Sequence, residues 1–343
     1  MEEKKREGSE KKEEKKLGLL PQREQLVKEL TPQVKEDLKN YFKDRDYGVI
    51  AITREDALRA FVVKATNLCE IARLRHKLSP MATAVLGRAL IGAILLTSLL
   101  KHGTNQRVLL RIEGDGPAGL IVAEANAKGE VRGFIQNPEL PTFIKEEGGR
   151  KKFDIAKAVG KGTLTVVKDL GFGAPYESSV PIVSGEIAQD IAYYLLKSEQ
   201  IPSAVGIGVL VGETGKVEAA GGYLAQPLPG ASEEAVKKLE ENVMALPPVS
   251  TLIKEGKRPE EIAELLFKGF TTELLALKEL SYKCRCSREV ARGGLLAMPE
   301  EELQRLIEEE GQASVRCNFC GEEYTFTREE LQEILEEKRK GDN

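Results

Sequence analysis

The pattern of apolar and polar positions changes character twice along this chain, near residues 47 and 230. Before the first change it is mostly polar. "MEEKKREGSEKKEEKK" carries mixed charge and no apolar period, which predicts a solvated tail over residues 2–16. "LLPQREQLVKELTPQVKEDLKNYF" follows and predicts one or two short helices, broken near Pro32.

From Tyr47 the pattern alternates. "YGVIAITR" predicts a strand, and Leu68, Ala72 and Arg75 set a helical phase into "LCEIARLRHK". Ser79 and Pro80 then stand where an N-cap and a first-turn proline belong. They precede "MATAVLGRALIGAILLTSLL", an apolar helix over Met81 to Leu100. Three runs (Val108–Glu113, Leu120–Ala125, Glu130–Gln136) between glycine-rich turns predict an antiparallel meander. "KGTLTVVKDLG" and "YESSVPIVSG" add strands, and "SGEIAQDIAYYLLKSEQ" a helix with Ser184 as its cap. "AVGIGVLVGETGKVEAAGGYLAQPLPG" predicts a hairpin that turns at "GETGK".

After Gly230 the chain turns helical and more charged. Ser232 caps a helix with Val236, Leu239, Val243 and Leu246 on one face, ended by Pro247 and Pro248. Another starts at Pro259 and turns Ile262, Leu265 and Leu266 to one side. Helices this short are marginal alone and need a surface to dock on. "MPEEELQRLIEEEG" and "TREELQEILEEKRKG" are acidic amphipathic helices near the end. The expected class is α+β: an N-terminal extension (1–46), a mixed core with an antiparallel sheet (47–229), a helical linker (230–283) and a small C-terminal domain (284–343).

Composition narrows the function. The 343 residues carry a formal net charge of −4, which gives no global drive toward nucleic acid or anionic membranes. Arg88 breaks the apolar helix, leaving an uncharged run of about a dozen residues where a span needs roughly 20. A buried helix is expected, in a soluble cytoplasmic protein. Two histidines, His76 and His102, leave little scope for imidazole pairs. "GDGPAG" matches G-x-G-x-x-G at Gly114, Gly116 and Gly119, but a strand follows it where a dinucleotide site needs a helix. A turn is expected there. Cys69 has apolar neighbours and no orienting partner, so a core position is expected and no catalytic constellation emerges.

The other four cysteines form C-x-C and C-x-x-C: Cys284, Cys286, Cys317 and Cys320. In a reducing compartment two such pairs point to a metal or a redox sensor before structural disulfides. Zinc takes four thiolates tetrahedrally, and Gly321 suits the turn around an ion. The C-x-C half is tighter than usual. Its thiols join only in a small strained ring, which makes a poor structural disulfide and a plausible switch. Lys283, Arg285 and Arg288 add positive charge beside it. The module of about sixty residues has few large apolar side chains, so it needs a staple.

These residues resemble the heat shock protein 33 family of redox-regulated bacterial chaperones. The resemblance covers about residues 47–335. It rests on "LGRALIGAILL", "IEGDGPAG", "VRGFIQNP", "VSGEIAQDIAYYLLKSEQIPSAVGIGVLV", "AAGGYLAQPLP" and the C-x-C…C-x-x-C tail. It implies an α+β domain, a helical linker and a zinc domain. It implies that Cys284, Cys286, Cys317 and Cys320 hold one zinc ion in an inactive reduced state. Oxidation would release the zinc and form the disulfides Cys284–Cys286 and Cys317–Cys320. The linker would unfold, the chain would dimerise, and unfolding client proteins would be held without ATP. No enzyme activity is expected. The N-terminal forty or so residues do not match the family pattern.

Two other functions compete. A zinc-ribbon nucleic-acid-binding or adaptor protein would use structural zinc, although the acidic helices beside the ribbon repel phosphate. A thiol oxidoreductase using "CNFC" would want that motif at a helix N-terminus, whereas Cys317–Cys320 reads as a β-turn.

Overall fold

The computed structural model describes residues 28–147 and 149–341. The charged tail of residues 2–16 and the first part of the expected helical stretch lie outside them. The chain divides into two compact units, one ending at Tyr282 and one beginning at Lys283.

In the larger unit a short strand β1 (Lys28–Glu29) precedes helix α1 (Pro32–Tyr41), where Thr31 accepts from the Val34 N–H and Pro32 opens the first turn. Strands β2 (Tyr47–Thr53) and β3 (Leu58–Lys64) form a hairpin that leads into helix α2 (Thr66–His76) and then helix α3 (Pro80–Leu96). The expected meander follows as β4 (Arg107–Gly114), β5 (Leu120–Asn126) and β6 (Glu130–Ile135). A small hairpin, β7 (Ile144–Glu147) and β8 (Arg150–Phe153), leads to helix α4 (Ile155–Val159). Strands β9 (Gly162–Asp169) and β10 (Tyr176–Pro181), helix α5 (Ala188–Lys197), and strands β11 (Ala204–Val211) and β12 (Val217–Pro227) come next. Helices α6 (Glu233–Ala245), α7 (Val249–Lys254) and α8 (Pro259–Leu266) follow, then strands β13 (Glu273–Glu279) and β14 (Ser281–Tyr282).

These strands build two six-stranded sheets, the α+β arrangement expected. One has the order β1-β13-β2-β3-β12-β11, antiparallel throughout. The other has the order β10-β9-β4-β5-β6-β14, antiparallel except for the β14–β6 pair. Helix α3 packs against both, touching β4, β5 and β6 on one side and β3, β11 and β12 on the other. Apart from Arg88, which pairs with Glu186 at 3.3 Å, it is apolar on every face because every face is covered. The stretch Pro80–Leu99 has the length and composition to cross a membrane, and here it is the core of a folded unit.

The first sheet also has an outer face. Tyr47, Val49, Ala51, Leu58, Ala60, Val62, Ala219 and Ala225 pack there in a second buried cluster. Helices α6, α7 and α8 cover this face with Leu239, Leu252, Ile262 and Leu266, and α1 adds Leu38 beside Phe42. Residues just after Gly230 therefore lie on the core sheet.

Three sequence expectations change. The stretch after Gly230 is not helical to its end, since Glu273–Glu279 is a strand inserted between β1 and β2. Ser184 does not cap α5. The Asp190 carboxylate, three residues into that helix, accepts from the N–H groups of Val183, Ser184 and Ile187 and from the Ser184 hydroxyl. The buried stripe of α6 centres on Ala235, Leu239 and Asn242, where Asn242 Nδ2 donates to the carbonyls of Leu266 and Lys268 at 2.9 and 3.0 Å. The "GDGPAG" loop is the turn expected. Gly114 and Gly116 press on the backbone carbonyls of Val159 and Ala158, leaving no room for a Cβ.

The smaller unit holds helix α9 (Arg288–Ala297), helix α10 (Glu300–Arg305) continued by a π turn (Leu306–Glu310), hairpin β15 (Gln312–Arg316) and β16 (Glu323–Thr327), and helix α11 (Arg328–Gly341). Its core is small, built on Leu295, Leu303, Phe326, Leu331 and Ile334. Phe319 stays outside that buried cluster.

Candidate metal centre

Cys284 and Cys286 stand on the irregular segment between β14 and α9, and Ser287 caps that helix by accepting from the Val290 N–H. The Cys286 backbone N–H turns toward the Cys284 sulfur, and both thiols face one point. Cys317 follows β15 directly, and Cys320 lies in the turn before β16. That turn is closed by the Cys317 N–H on the Glu322 carbonyl and the Gly321 N–H on the Cys317 carbonyl, each at 2.8 Å. Gly321 takes φ +73°, which a side chain would strain.

The four sulfurs converge. All lie within 4.8 Å of one another. Cys284 Sγ is 3.6 Å from Cys317 Sγ, and Cys286 Sγ is 3.3 Å from Cys320 Sγ. None of the four is in a disulfide. A tetrahedron with metal–sulfur bonds of about 2.3 Å has edges of about 3.8 Å, so the arrangement fits a tetrathiolate ion site.

Proton affinities in the cluster fit a cation too. Burial works against charge on Cys284. The Cys286 backbone N–H and the thiols of Cys286, Cys320 and Cys317 outweigh it and bring its pKa down to about 7. Cys317 and Cys320 are pushed up, first by burial and then by the neighbouring sulfurs. The Cys284 thiolate forms easily while Cys317 and Cys320 resist, which is the balance a bound cation reverses.

One neighbour reaches the sulfurs. The Tyr324 hydroxyl, on β16, donates to Cys286 Sγ at 3.3 Å. Arg288, expected to add charge beside the thiols, is committed elsewhere: Nη2 donates to the Thr325 carbonyl and the Glu330 carboxylate, and the guanidinium lies 4.3 Å over the Phe326 ring. It ties α9 to the hairpin and α11.

The fifth thiol is apart. Cys69 is enclosed in the core of the larger unit, where burial pushes its pKa up. His76 Nε2 pairs with the Tyr282 hydroxyl at 2.9 Å.

Comparison with known proteins matches this architecture. The family model described as Hsp33 protein covers residues 46–327. The 33 kDa chaperonin of Aquifex aeolicus is 57% identical over 319 residues, 93% of this chain and 98% of that protein. That match is longer than the 298 residues from Asp46 to Asn343, so it reaches into the N-terminal extension. The 33 kDa chaperonin of Geobacter sulfurreducens is 45% identical over 84% of this chain and 94% of its own length. The crystal structure of the 33 kDa chaperonin, a heat shock protein 33 homolog, from Thermotoga maritima superposes with a TM-score of 0.78 at 40% identity. It covers 87% of this chain and 99% of that one. With the family model spanning most of its length, this chain belongs to the Hsp33 family.

Proposed function

We propose that this protein is an ATP-independent holdase chaperone of the cytoplasm, switched by oxidation of Cys284, Cys286, Cys317 and Cys320. The observation that carries the reading is the convergence of those four thiols in a unit with so small a core. In the reduced state they would hold one zinc ion, which supplies the cross-link that such a unit lacks.

Oxidation of each thiolate pair removes two electrons and forms one S–S bond. A two-electron oxidant such as hydrogen peroxide accepts the electrons, takes two protons from solvent and leaves as two waters. The family resemblance assigns the bonds Cys284–Cys286 and Cys317–Cys320. In the thiol cluster sulfurs also meet across the pairs, Cys284 with Cys317 at 3.6 Å and Cys286 with Cys320 at 3.3 Å. Disulfides cannot serve as tetrathiolate ligands, so the small unit loses its staple.

Residues 230–283 then act as the linker. Helices α6, α7 and α8 are short and stay folded by docking on the outer face of the first sheet. Their release would uncover Tyr47, Val49, Val62 and Tyr223, an apolar surface suited to unfolding clients and to pairing with a second oxidised chain.

The test follows zinc release with a chromogenic chelator, far-UV circular dichroism and suppression of aggregation of a thermally unfolded enzyme. Reduced protein is expected to hold one zinc and suppress nothing. Peroxide with mild heat should release zinc, reduce helix content and start suppression together. Redox-dependent suppression that survives serine at all four cysteine positions would overturn the reading. Salt-dependent binding of RNA by the reduced protein would favour a nucleic-acid module instead.

A further inference from the structure

A pocket of about 400 Å³ opens where three distant segments of the larger unit meet. Helix α1 and the turn after it bring Lys39 and Lys43, and β3 brings Lys64. The loop entering α8 brings Lys257 and Arg258, and the first turn of α8 brings Glu261. Five cations thus line the pocket with one carboxylate, in a chain of net negative charge; Lys39 also pairs with Glu36 at 3.6 Å and Arg258 with Glu260 at 3.0 Å, outside the lining. The lining carboxylate is already engaged: Glu261 Oε2 accepts from the Arg258 N–H at 2.9 Å and lies 3.3 Å from Arg258 Nε. The ammonium groups of Lys43 and Lys257 have no hydrogen-bond or ion-pair partner among the described residues. Arg258 Nη1 is buried without a hydrogen-bond acceptor. A buried donor left unmatched is costly, and folded proteins retain few of them.

We propose that this pocket is a binding site for a small oligophosphate, a ligand carrying two or three linked phosphoryl groups. Clustered ammonium groups and a guanidinium suit phosphoryl oxygens, which take charge-assisted hydrogen bonds from both. A single orthophosphate would fill little of the volume and could not reach Lys43, Lys64 and Lys257 together. Phe42 and Tyr47 also line the pocket, but they stack on each other at 4.1 Å between centroids and are buried. The wall therefore offers neither ring face to a nucleobase, and the phosphate chain is the recognised part, free or at the end of a nucleotide.

The site has a regulatory consequence. Its walls come from the N-terminal extension, the core sheet and the loop between α7 and α8, so it exists only while those helices are docked. A ligand at a hundredfold excess over its Kd shifts the docked-to-released ratio about a hundredfold. This effect on activation rests on the redox reading above, while binding itself does not.

The experiment titrates reduced, zinc-loaded full-length protein with sodium tripolyphosphate, pyrophosphate, orthophosphate and ADP at constant ionic strength. It reads binding heat, melting temperature and retained zinc. Saturable binding of tripolyphosphate at one per chain is expected, tighter than orthophosphate, with a raised melting temperature. ADP equal to pyrophosphate would leave free oligophosphate and nucleotide phosphates equivalent at the site, and much tighter ADP would overturn phosphate-only recognition. Lys43→Glu with Lys257→Glu should weaken binding at least about tenfold, because two attractive charges become repulsive. The ligand-free melting temperature should stay equal or rise, since like-charge repulsion falls. Lys43→Gln with Lys257→Gln serves if the reversed pair does not fold. Absence of saturation, equal affinity in these variants, or a signal that tracks loss of zinc to the oligophosphate would each overturn the proposal. All of this is read without oxidant, so the holdase reading stands or falls separately.

Discussion

The Tyr47 hydroxyl donates to Glu260 Oε2 at 2.7 Å, across 213 positions of sequence, and both side chains are buried. The bond pins the first turn of α8 to β2. Glu260 Oε1 has no hydrogen-bond donor, only Arg258 Nε at ion-pair distance, 3.0 Å. Tyr47→Phe leaves the buried carboxyl with one partner fewer. It should cost about 1–3 kcal/mol in urea unfolding and lower the oxidant dose that activates the protein. An unchanged dose would mean that α8 does not gate activity.

A pH dependence follows from two buried carboxyls. Asp46 accepts from the Leu68 N–H at 2.6 Å, at the start of α2, while its Oδ1 has no donor. Burial raises its pKa to about 6 against the pull of that backbone, and burial raises Glu260 as well. A folded-state pKa above the unfolded one gives stability that is full in acid and fades as pH rises through the folded value. For Asp46 the window runs from its usual 3.8 to about 6. Asp46→Asn keeps an acceptor for Leu68. It should raise the melting temperature at neutral pH, and the difference should shrink on acidification through that window.

Lys278 shows the opposite sign. It sits buried on β13, donates to Thr97 Oγ1 at 2.9 Å and lies 5.2 Å over the Phe61 ring. Burial, then the charge of Arg59, lowers its pKa to about 8. Folding therefore costs most while the free lysine is charged, and stability rises with pH between about 8 and 10.5. Lys278→Met keeps the packed stem and drops the charge, and the Thr97 hydroxyl still donates to the Ile94 carbonyl. Expected are a gain of about 1–3 kcal/mol near neutral pH and slower activation. A loss of stability would show that the ammonium is net favourable.

The N-terminal extension holds the proposed linker from two sides. β1 pairs with β13, Lys28 opposite Leu274, and Leu38 packs in the same buried cluster as Ala263 and Phe267. Lys35 reaches Glu264 at 2.6 Å, a partly exposed pair worth under about 1 kcal/mol. Leu38→Ala should cost about 2–4 kcal/mol. Deleting residues 1–42 should expose the 230–283 segment to protease in reduced protein. Equal cleavage rates in full-length and truncated chains would refute the clamp.

Tyr324 tests the ring around the thiols. Removing its hydroxyl takes a hydrogen bond from Cys286 Sγ. Neighbouring groups of this kind typically carry about 10- to 100-fold in metal affinity. Tyr324→Phe should weaken zinc binding by about tenfold in competition with a chelator, and shorten the half-time of peroxide-driven thiol loss.

Much of this was legible in the sequence because its signals are local. Ser79-Pro80 announces α3, and the glycine-rich turns announce the meander. The spacing of the cysteines announces a four-sulfur cluster before any fold is known. The misses are tertiary. "ELLALKE" is made of helix formers and becomes a strand through pairing with β2 and β1. Gly293 and Gly294 hide α9, whose apolar face is set by Ala291 and Leu295. Asn242, Tyr324 and Glu260 read as ordinary surface or filler positions, and only distant partners give them roles.

Helix α3 also sets a timetable for biosynthesis. Its last covering strands, β11 and β12, end at Pro227, more than a hundred residues after the helix itself has left the ribosome. Until then a helix apolar but for Arg88 lacks part of its cover, and exposed surface of that kind invites aggregation. A nascent chain of this chaperone is for that interval a client, in need of the protection its finished form would give to others.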